Sequence, residues 1–131
     1  MLFLLAIAVG GAIGSLLRFL ISKYFQTKVG VEFPVGTLLV NLSSAFLIGF
    51  SFAFLVERVE VSPNLRALII TGFLGGYSTY STLFYEAYYM MVGGEWFKSF
   101  LYLFLSNLLG ILFVTLGYGL GKLLYGLGKL L

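Results

Sequence analysis

Long apolar runs separated by short polar stretches dominate the chain. Four such runs cover about residues 2–24, 33–56, 64–91 and 97–120. A transmembrane helix needs about 20 mostly apolar residues, so each run is long enough to cross a bilayer once. The pattern predicts an all-α membrane protein with four transmembrane helices, organised as a single transmembrane domain over residues 1–131.

The third run differs from the others because polar residues and glycines interrupt it. Residues 72–86 read GFLGGYSTYSTLFYE, with three glycines, four Ser or Thr residues and a carboxylate. Glycine destabilises a helix interior by about 1 kcal/mol, and non-helical backbone survives at membrane depth only where protein or water shields it. We therefore predict that the third helix is broken near Gly75–Ser78, starting at Gly75 and Gly76, with polar side chains just beyond.

Composition excludes several kinds of chemistry. The chain is 60% hydrophobic and 10% charged with a mean hydropathy of +1.05, whereas soluble domains average about 25% charged residues. It has no cysteine and no histidine, which removes disulfides, thiolate chemistry and imidazole catalysis. Glu86 is the one carboxylate within an apolar run, so paired-carboxylate catalysis is not expected. We do not expect an enzyme.

Polar side chains recur at helical spacing within the apolar runs. Asn41 lies on a stripe of the second run that includes Thr37 and Ser44, and its amide needs a partner at membrane depth. Either an interhelical hydrogen bond or a pore-facing donor satisfies that need. Arg18, inside the first run, either snorkels to the interface or faces a wet cavity. Neutral donors without buried carboxylates suit a small anion better than a cation.

The basic residues give almost no topological bias. With four helices, Arg58, Arg66, Lys122 and Lys129 lie on one side, while Lys23, Lys28 and Lys98 lie on the other, joined by Arg18 if it snorkels. Because Lys/Arg asymmetry sets orientation, this balance predicts insertion in both directions. Two oppositely inserted copies would form an antiparallel dual-topology homodimer, which resembles the inverted repeats of many transporters.

Three stretches together resemble the Fluc, or CrcB-type, fluoride channels. They are GGAIGSLLRF at residues 10–19, GTLLVNLSSAFLIG at residues 36–49 and GFLGGYSTYST at residues 72–82. The resemblance implies a passive fluoride-selective channel that exports fluoride across the plasma (inner) membrane of a prokaryote. It further implies a homodimer with two antiparallel pores and a structural sodium ion at its centre.

The resemblance also implies roles for particular residues. Backbone carbonyls of Gly75 and Ser78, from both subunits, would hold the sodium ion. The residues expected along the fluoride path are Arg18, Asn41, Tyr80, Ser81, Thr82, Leu83, Glu86 and Tyr102. Where the family usually has TTFSTF this chain has STYSTL, so Tyr80 and Leu83 stand at two phenylalanine positions.

Two other classes of function remain open at the level of the residues. A proton-coupled small multidrug-type transporter can also be a four-helix dimer of dual topology, but it needs a membrane-embedded carboxylate and the first run has none. A non-transporting assembly subunit would use the polar stripes as contacts between helices.

Overall fold

The computed structural model describes all residues 1–131, and it is entirely helical. Five helices follow one another along the chain: α1 is Leu2–Val29, α2 is Val35–Val56, α3 covers residues 63–77, α4 is Tyr80–Val92 and α5 is Trp96–Leu130. Three of them, α1, α2 and α5, are long and apolar enough to cross a membrane. The all-α expectation is confirmed.

Two outer helices extend beyond the expected apolar runs. Helix α1 continues through Gln26 to Val29 because nothing in that polar stretch disfavours a helix, and Gly30 ends it at a φ of 96°. Helix α5 continues to Leu130 and has 35 residues, about 52 Å at 1.5 Å per residue. It is therefore longer than a bilayer core of about 30 Å.

Helices α3 and α4 are separated by two extended residues, Ser78 and Thr79, which we call the interruption. Their φ and ψ angles are −75° and 158° for Ser78 and −147° and 120° for Thr79. Gly75 and Gly76 are helical, so the expectation that the break starts at these glycines is wrong. A Cβ on Gly76 would come within 2.6 Å of the Gly11 carbonyl oxygen, so this glycine allows α3 to approach α1.

Glycines also set the packing of the other helices. Gly10 and Gly14 of α1 lie against the backbone of α3, around Leu68 and Phe73, where an added Cβ would clash. Gly117 of α5 lies against the backbone of Phe46 in α2 in the same way. Helix α1 therefore packs chiefly on α3, and α2 packs chiefly on α5. The interruption lies between these two pairs of helices.

Two segments wind more loosely than an α-helix. Residues Ser51–Val56 at the end of α2 and Ala67–Leu74 within α3 have π-helical hydrogen bonding, in which each N–H bonds five residues back. The second of these segments leads directly into Gly75 and the interruption. Regular α-helical geometry is thus lost over a longer stretch than the two extended residues alone.

Candidate ion pathway

A side-chain amide from α2 holds the interruption in place. The N–H of Thr79 donates to Asn41 Oδ1 at 2.8 Å, and Asn41 Nδ2 donates to the Thr79 carbonyl at 3.1 Å. Asn41 thus bonds both backbone polar groups of one extended residue, as a neighbouring peptide group would. The amide finds an interhelical partner, which is one of the two alternatives that its position left open.

Among the backbone carbonyls that lose their helical donors at the interruption, those of Gly75 and Ser78 lose them to side chains. In a continuous helix the N–H groups of Thr79 and Thr82 would donate to the carbonyls of Gly75 and Ser78, four residues earlier. Here the Thr79 N–H donates to Asn41, and the Thr82 N–H donates to the Thr79 hydroxyl at 3.3 Å. The Ser78 carbonyl accepts no hydrogen bond within the chain. Both carbonyl oxygens are left without the donors that a helix supplies.

Arg18 contacts the last turn before the interruption. Its Nε donates to the carbonyl of Gly76 at 3.1 Å, and the side chain is half-buried. Through this bond α1 supports the end of α3 at a carbonyl that lies between Gly75 and Ser78 in sequence. The rest of the guanidinium lies at the wall of a cavity.

That cavity, the α1-side cavity, has a volume of about 490 Å³, and eight of its ten lining residues are polar or charged, although most of the exposed lining surface is carbon. Its wall is formed by Ser15, Arg18, Phe19, Ser22, Gln26, Thr37, Thr79, Thr82, Tyr85 and Glu86. It contains one arginine, one carboxylate and several neutral hydroxyl and amide groups. Such a set can concentrate small anions near Arg18 and offer them hydrogen-bond donors.

A second cavity, the α2/α5-side cavity, lies on the other side of Thr79. Its volume is about 420 Å³, and its wall includes Asn41, Ser44, Ser78, Thr79, Tyr80, Leu83, Ser106 and Asn107. The Ser106 hydroxyl is buried and has no hydrogen-bond partner. Thr79 lines both cavities, so the residue that Asn41 holds forms the boundary between them.

Glu86 and Tyr102 meet at the far end of the α1-side cavity. Tyr102 is completely buried, and its hydroxyl donates to Glu86 Oε1 at 3.4 Å. Thr37 of α2 lies beside both groups. The one carboxylate within the apolar runs therefore has polar neighbours on α2 and α5 instead of facing lipid alone.

The eight expected pathway residues fall into four groups. Arg18, Thr82 and Glu86 line the α1-side cavity, and Asn41, Tyr80 and Leu83 line the α2/α5-side cavity. Tyr102 touches the pathway through Glu86. Ser81 is exposed and lines neither cavity. Their roles in conduction stay predictions.

The two residues at the phenylalanine positions have different environments. The Tyr80 side chain is 75% exposed, and its ring packs on that of Phe84 with 4.5 Å between centroids. Leu83 is instead buried and packs in a core cluster with Ala87, Met90 and Tyr102. Tyr80 therefore pairs with Phe84, one helical turn further along α4.

Sequence reasoning missed a polar stripe on α1. Ser15, Arg18, Ser22 and Gln26 are spaced at i, i+3, i+7 and i+11 and all line the α1-side cavity. The spacing is visible in the sequence, where it runs alongside the glycines of the same helix. Thr79 was also missed, because its contribution comes from its backbone and from a capping hydroxyl.

The chemistry of these groups is that of binding, not of bond making. The chain has no group of three or more His, Cys, Asp or Glu residues that could hold a metal ion through side chains. Donors of the Asn, Ser, Thr and Arg side chains suit anions, while unpaired backbone carbonyls suit hard cations. Both kinds of group lie around the interruption.

Comparison with known proteins agrees with this chemistry. Residues 5–118 match the family described as CrcB-like protein, Camphor Resistance (CrcB). A protein of Aquifex aeolicus named fluoride-specific ion channel FluC is 55% identical over 117 residues, 89% of this chain and 94% of the relative. The protein of the same name from Hydrogenobaculum sp. is 47% identical over 120 residues, 92% of this chain and 98% of the relative.

Proposed function

Since the chain belongs to the CrcB-like family, we propose that it is a fluoride-selective channel that lets fluoride leave the cytoplasm passively. The observation that carries the proposal is the lining of the two cavities that meet at Thr79, which offers neutral donors and one arginine. Its relatives are named as channels, which places the protein among transport proteins and not among enzymes. Its apolar helices make it a multi-pass membrane protein, and we expect it in the plasma membrane of a prokaryotic cell.

Fluoride would enter the pathway beside Arg18. The guanidinium raises the local concentration of anions, and the hydroxyls of the α1-side cavity replace part of the water that the ion loses. The path then continues along α4, where Tyr80, Ser81 and Thr82 follow the interruption. Glu86 lies about one turn beyond Thr82 on the same helix, and Tyr102 of α5 contacts it there. Asn41 and Leu83 complete the wall on the side of α2 and α5.

We propose that two copies insert in opposite orientations and pair as an antiparallel homodimer with two pores. The nearly balanced Lys and Arg residues support insertion in both directions. Tyr80 supports pairing, because it directly follows the interruption and is 75% exposed in a single copy. In this arrangement α3 and α4 together form the third membrane crossing.

A structural sodium ion at the centre of the dimer fits the carbonyls beside the interruption. Hard cations prefer oxygen ligands, and the Gly75 and Ser78 carbonyls have lost the donors of a continuous helix. Two copies would provide these carbonyls twice. The bound ion would link the two interrupted segments by charge, and it takes no part in bond chemistry.

The decisive test is ion efflux from liposomes that contain the purified protein. We expect rapid fluoride release and almost no chloride release when a potassium ionophore carries the compensating charge. A chloride flux equal to the fluoride flux would refute the proposal. A fluoride flux that requires a proton gradient would instead favour a proton-coupled transporter, and absence of any flux would favour an assembly subunit.

The dimer needs a measurement of its own. Single cysteines placed at the two chain ends of this cysteine-free protein can be labelled from either side of an inverted membrane vesicle. Dual topology predicts that each cysteine is labelled from both sides in similar amounts. Labelling from one side only would exclude the antiparallel arrangement while leaving the channel proposal intact.

A further inference from the structure

We propose that Asn41 and the Thr79 hydroxyl are positioning residues that keep the Gly75 and Ser78 carbonyls free for a cation by binding the two N–H groups that would otherwise occupy them. The inference rests on the proposed sodium site, and it gives a positioning role to two side chains that do not touch the ion. It also gives Asn41 a role distinct from that of a fluoride donor.

The first half of the arrangement concerns Asn41 and Gly75. The Thr79 N–H is the donor that a continuous helix would bring to the Gly75 carbonyl. Asn41 Oδ1 accepts this N–H at 2.8 Å, and Asn41 Nδ2 donates to the carbonyl of the same residue at 3.1 Å. Because both bonds stabilise Thr79 in the extended state, the helix cannot close over the Gly75 oxygen without losing them.

The second half concerns the Thr79 side chain and Ser78. The Thr82 N–H would bond the Ser78 carbonyl in a continuous helix, but it donates to Thr79 Oγ1 at 3.3 Å. The same hydroxyl donates to Thr82 Oγ1 at 3.0 Å, so it is fixed by two contacts. Thr79 therefore caps α4 and at the same time leaves the Ser78 oxygen without a donor.

The two N–H groups and the two carbonyls correspond one to one. Each carbonyl that the cation would bind lies four residues before a backbone N–H that donates to a side-chain oxygen instead. Of the two carbonyls between them, that of Gly76 is bonded by Arg18 Nε at 3.1 Å and is therefore less available, while that of Tyr77 has no side-chain donor. Arg18 of α1, Asn41 of α2 and Thr79 of the interruption thus influence which oxygens there remain open.

The test compares five variants of the purified protein in detergent, one of them a control. Asn41→Leu removes both bonds to Thr79, while Asn41→Asp keeps an oxygen acceptor for its N–H in either protonation state. Thr79→Val removes the hydroxyl at constant shape, and Thr79→Ser restores it. Ser43→Ala is the matched control, because it breaks another polar contact between α2 and α3, the 2.9 Å bond of Ser43 to the Tyr77 hydroxyl, and leaves the bonds of the Thr79 and Thr82 N–H groups in place.

Two readouts are needed, one with sodium and one without. The first is the rise in melting temperature on replacing N-methylglucamine by sodium, titrated to give an apparent affinity. Loss of a supporting residue weakens metal binding by roughly 10- to 100-fold, and we expect this for Asn41→Leu and Thr79→Val. Asn41→Asp, Thr79→Ser and Ser43→Ala should bind sodium within about threefold of the wild type, since each keeps its acceptor or lies elsewhere.

The second readout is the backbone ¹³C chemical shifts of residues 78 and 79, which distinguish extended from helical conformation. In Asn41→Leu these shifts should move towards helical values, and in Asn41→Asp they should stay extended. Unchanged shifts together with unchanged sodium affinity in Asn41→Leu would overturn the inference, as would an Asn41→Asp protein that behaves like Asn41→Leu.

The two proposals can fail separately. If the wild-type melting temperature does not respond to sodium, the proposed sodium site is wrong and the cation-directed role of Asn41 falls with it. The ¹³C shifts then still show whether Asn41 keeps the Gly75 carbonyl free. If sodium stabilises the wild type and Asn41→Leu equally, the site stands and the positioning role is refuted.

Discussion

Arg18 Nε donates to the Gly76 carbonyl at 3.1 Å across 58 positions of sequence. The bond joins the arginine of the first apolar run to the final turn before the interruption. It leaves the other guanidinium N–H groups at the wall of the α1-side cavity, where Ser22 and Gln26 are its neighbours. One side chain therefore both supports the backbone and sets the charge at the mouth of the proposed path.

Arg18→Gln should lower fluoride efflux on the order of tenfold at low ionic strength, because the positive charge that concentrates anions is lost. The deficit should shrink in high salt, where exposed charges are screened. The measurement is initial fluoride efflux from liposomes at two salt concentrations. Arg18→Lys retains the charge and should lose less; equal losses at both salt concentrations would contradict an electrostatic role.

Tyr102→Phe should lower fluoride flux by roughly tenfold, since Glu86 loses its buried donor and an unpaired buried group costs about 1–3 kcal/mol. The ring keeps its packing, so the protein should elute unchanged in size-exclusion chromatography. Tyr118→Phe is the control: it removes the 2.6 Å bond of Tyr118 to Glu57 at the other end of α2 and should leave flux unchanged. If Tyr102→Phe and Tyr118→Phe conduct fluoride equally well, Tyr102 has no role in the pathway.

Leu83→Phe should destabilise the protein by about 1–3 kcal/mol, because the larger ring must enter a filled core. Leu83 is 9% exposed and packs with Ala87, Met90 and Tyr102. Leu83→Met keeps the volume and should cost less. Thermal unfolding in detergent measures both, and a Leu83→Phe protein as stable as the wild type would show that this side chain has room towards the second cavity.

Gly76→Ala should lower the melting temperature strongly, because the new Cβ would lie 2.6 Å from the Gly11 carbonyl oxygen and force α1 and α3 apart. Gly119→Ala is the matched control in α5, where a Cβ meets nothing within 4 Å. In a helix interior that change should stabilise by about 0.5–1 kcal/mol. If both variants melt like the wild type, the close approach of α1 and α3 is not needed for stability.

The stability contribution of the Glu57–Tyr118 pair should depend on pH. The hydrogen bond from Tyr118 and the neighbouring Arg58 lower the pKa of the Glu57 carboxyl below its ordinary value. A lowered pKa in the folded state stabilises the protein above the ordinary pKa, and that stabilisation is lost as pH falls through the lowered value. The difference in melting temperature between wild type and Tyr118→Phe should therefore be constant near neutral pH and shrink in acid; a difference that grows in acid would contradict the pair.

Much of the helical architecture could be predicted from the sequence, because apolar runs report burial in lipid directly. Glycines spaced four apart, such as Gly10 and Gly14, lie on the backbone of α3, as expected for close helix packing. At Gly110, by contrast, an added Cβ meets nothing within 4 Å. Spacing identifies a face of small residues, but only the neighbouring helix decides whether that face is covered.

The exact place of the interruption could not be predicted, because it depends on a contact between distant residues. Local propensity favours a break at Gly75 and Gly76, whereas the hydrogen bonds of Asn41 fix it at Thr79. The environment of Leu83 could not be predicted for a similar reason, since the core that surrounds it includes Tyr102 from α5. Helix periodicity alone does not show which face of α4 meets that partner.

The bonds that shape the interruption all lie within one chain, from Asn41, Arg18 and the Thr79 hydroxyl. A single copy can therefore hold the extended backbone at Ser78 and Thr79 with its own bonds. Fixing a residue costs about 1–2 kcal/mol of conformational entropy, and a segment held in this way meets that cost on folding. A surface that is already ordered loses less freedom on binding, which would favour the proposed pairing of oppositely inserted copies.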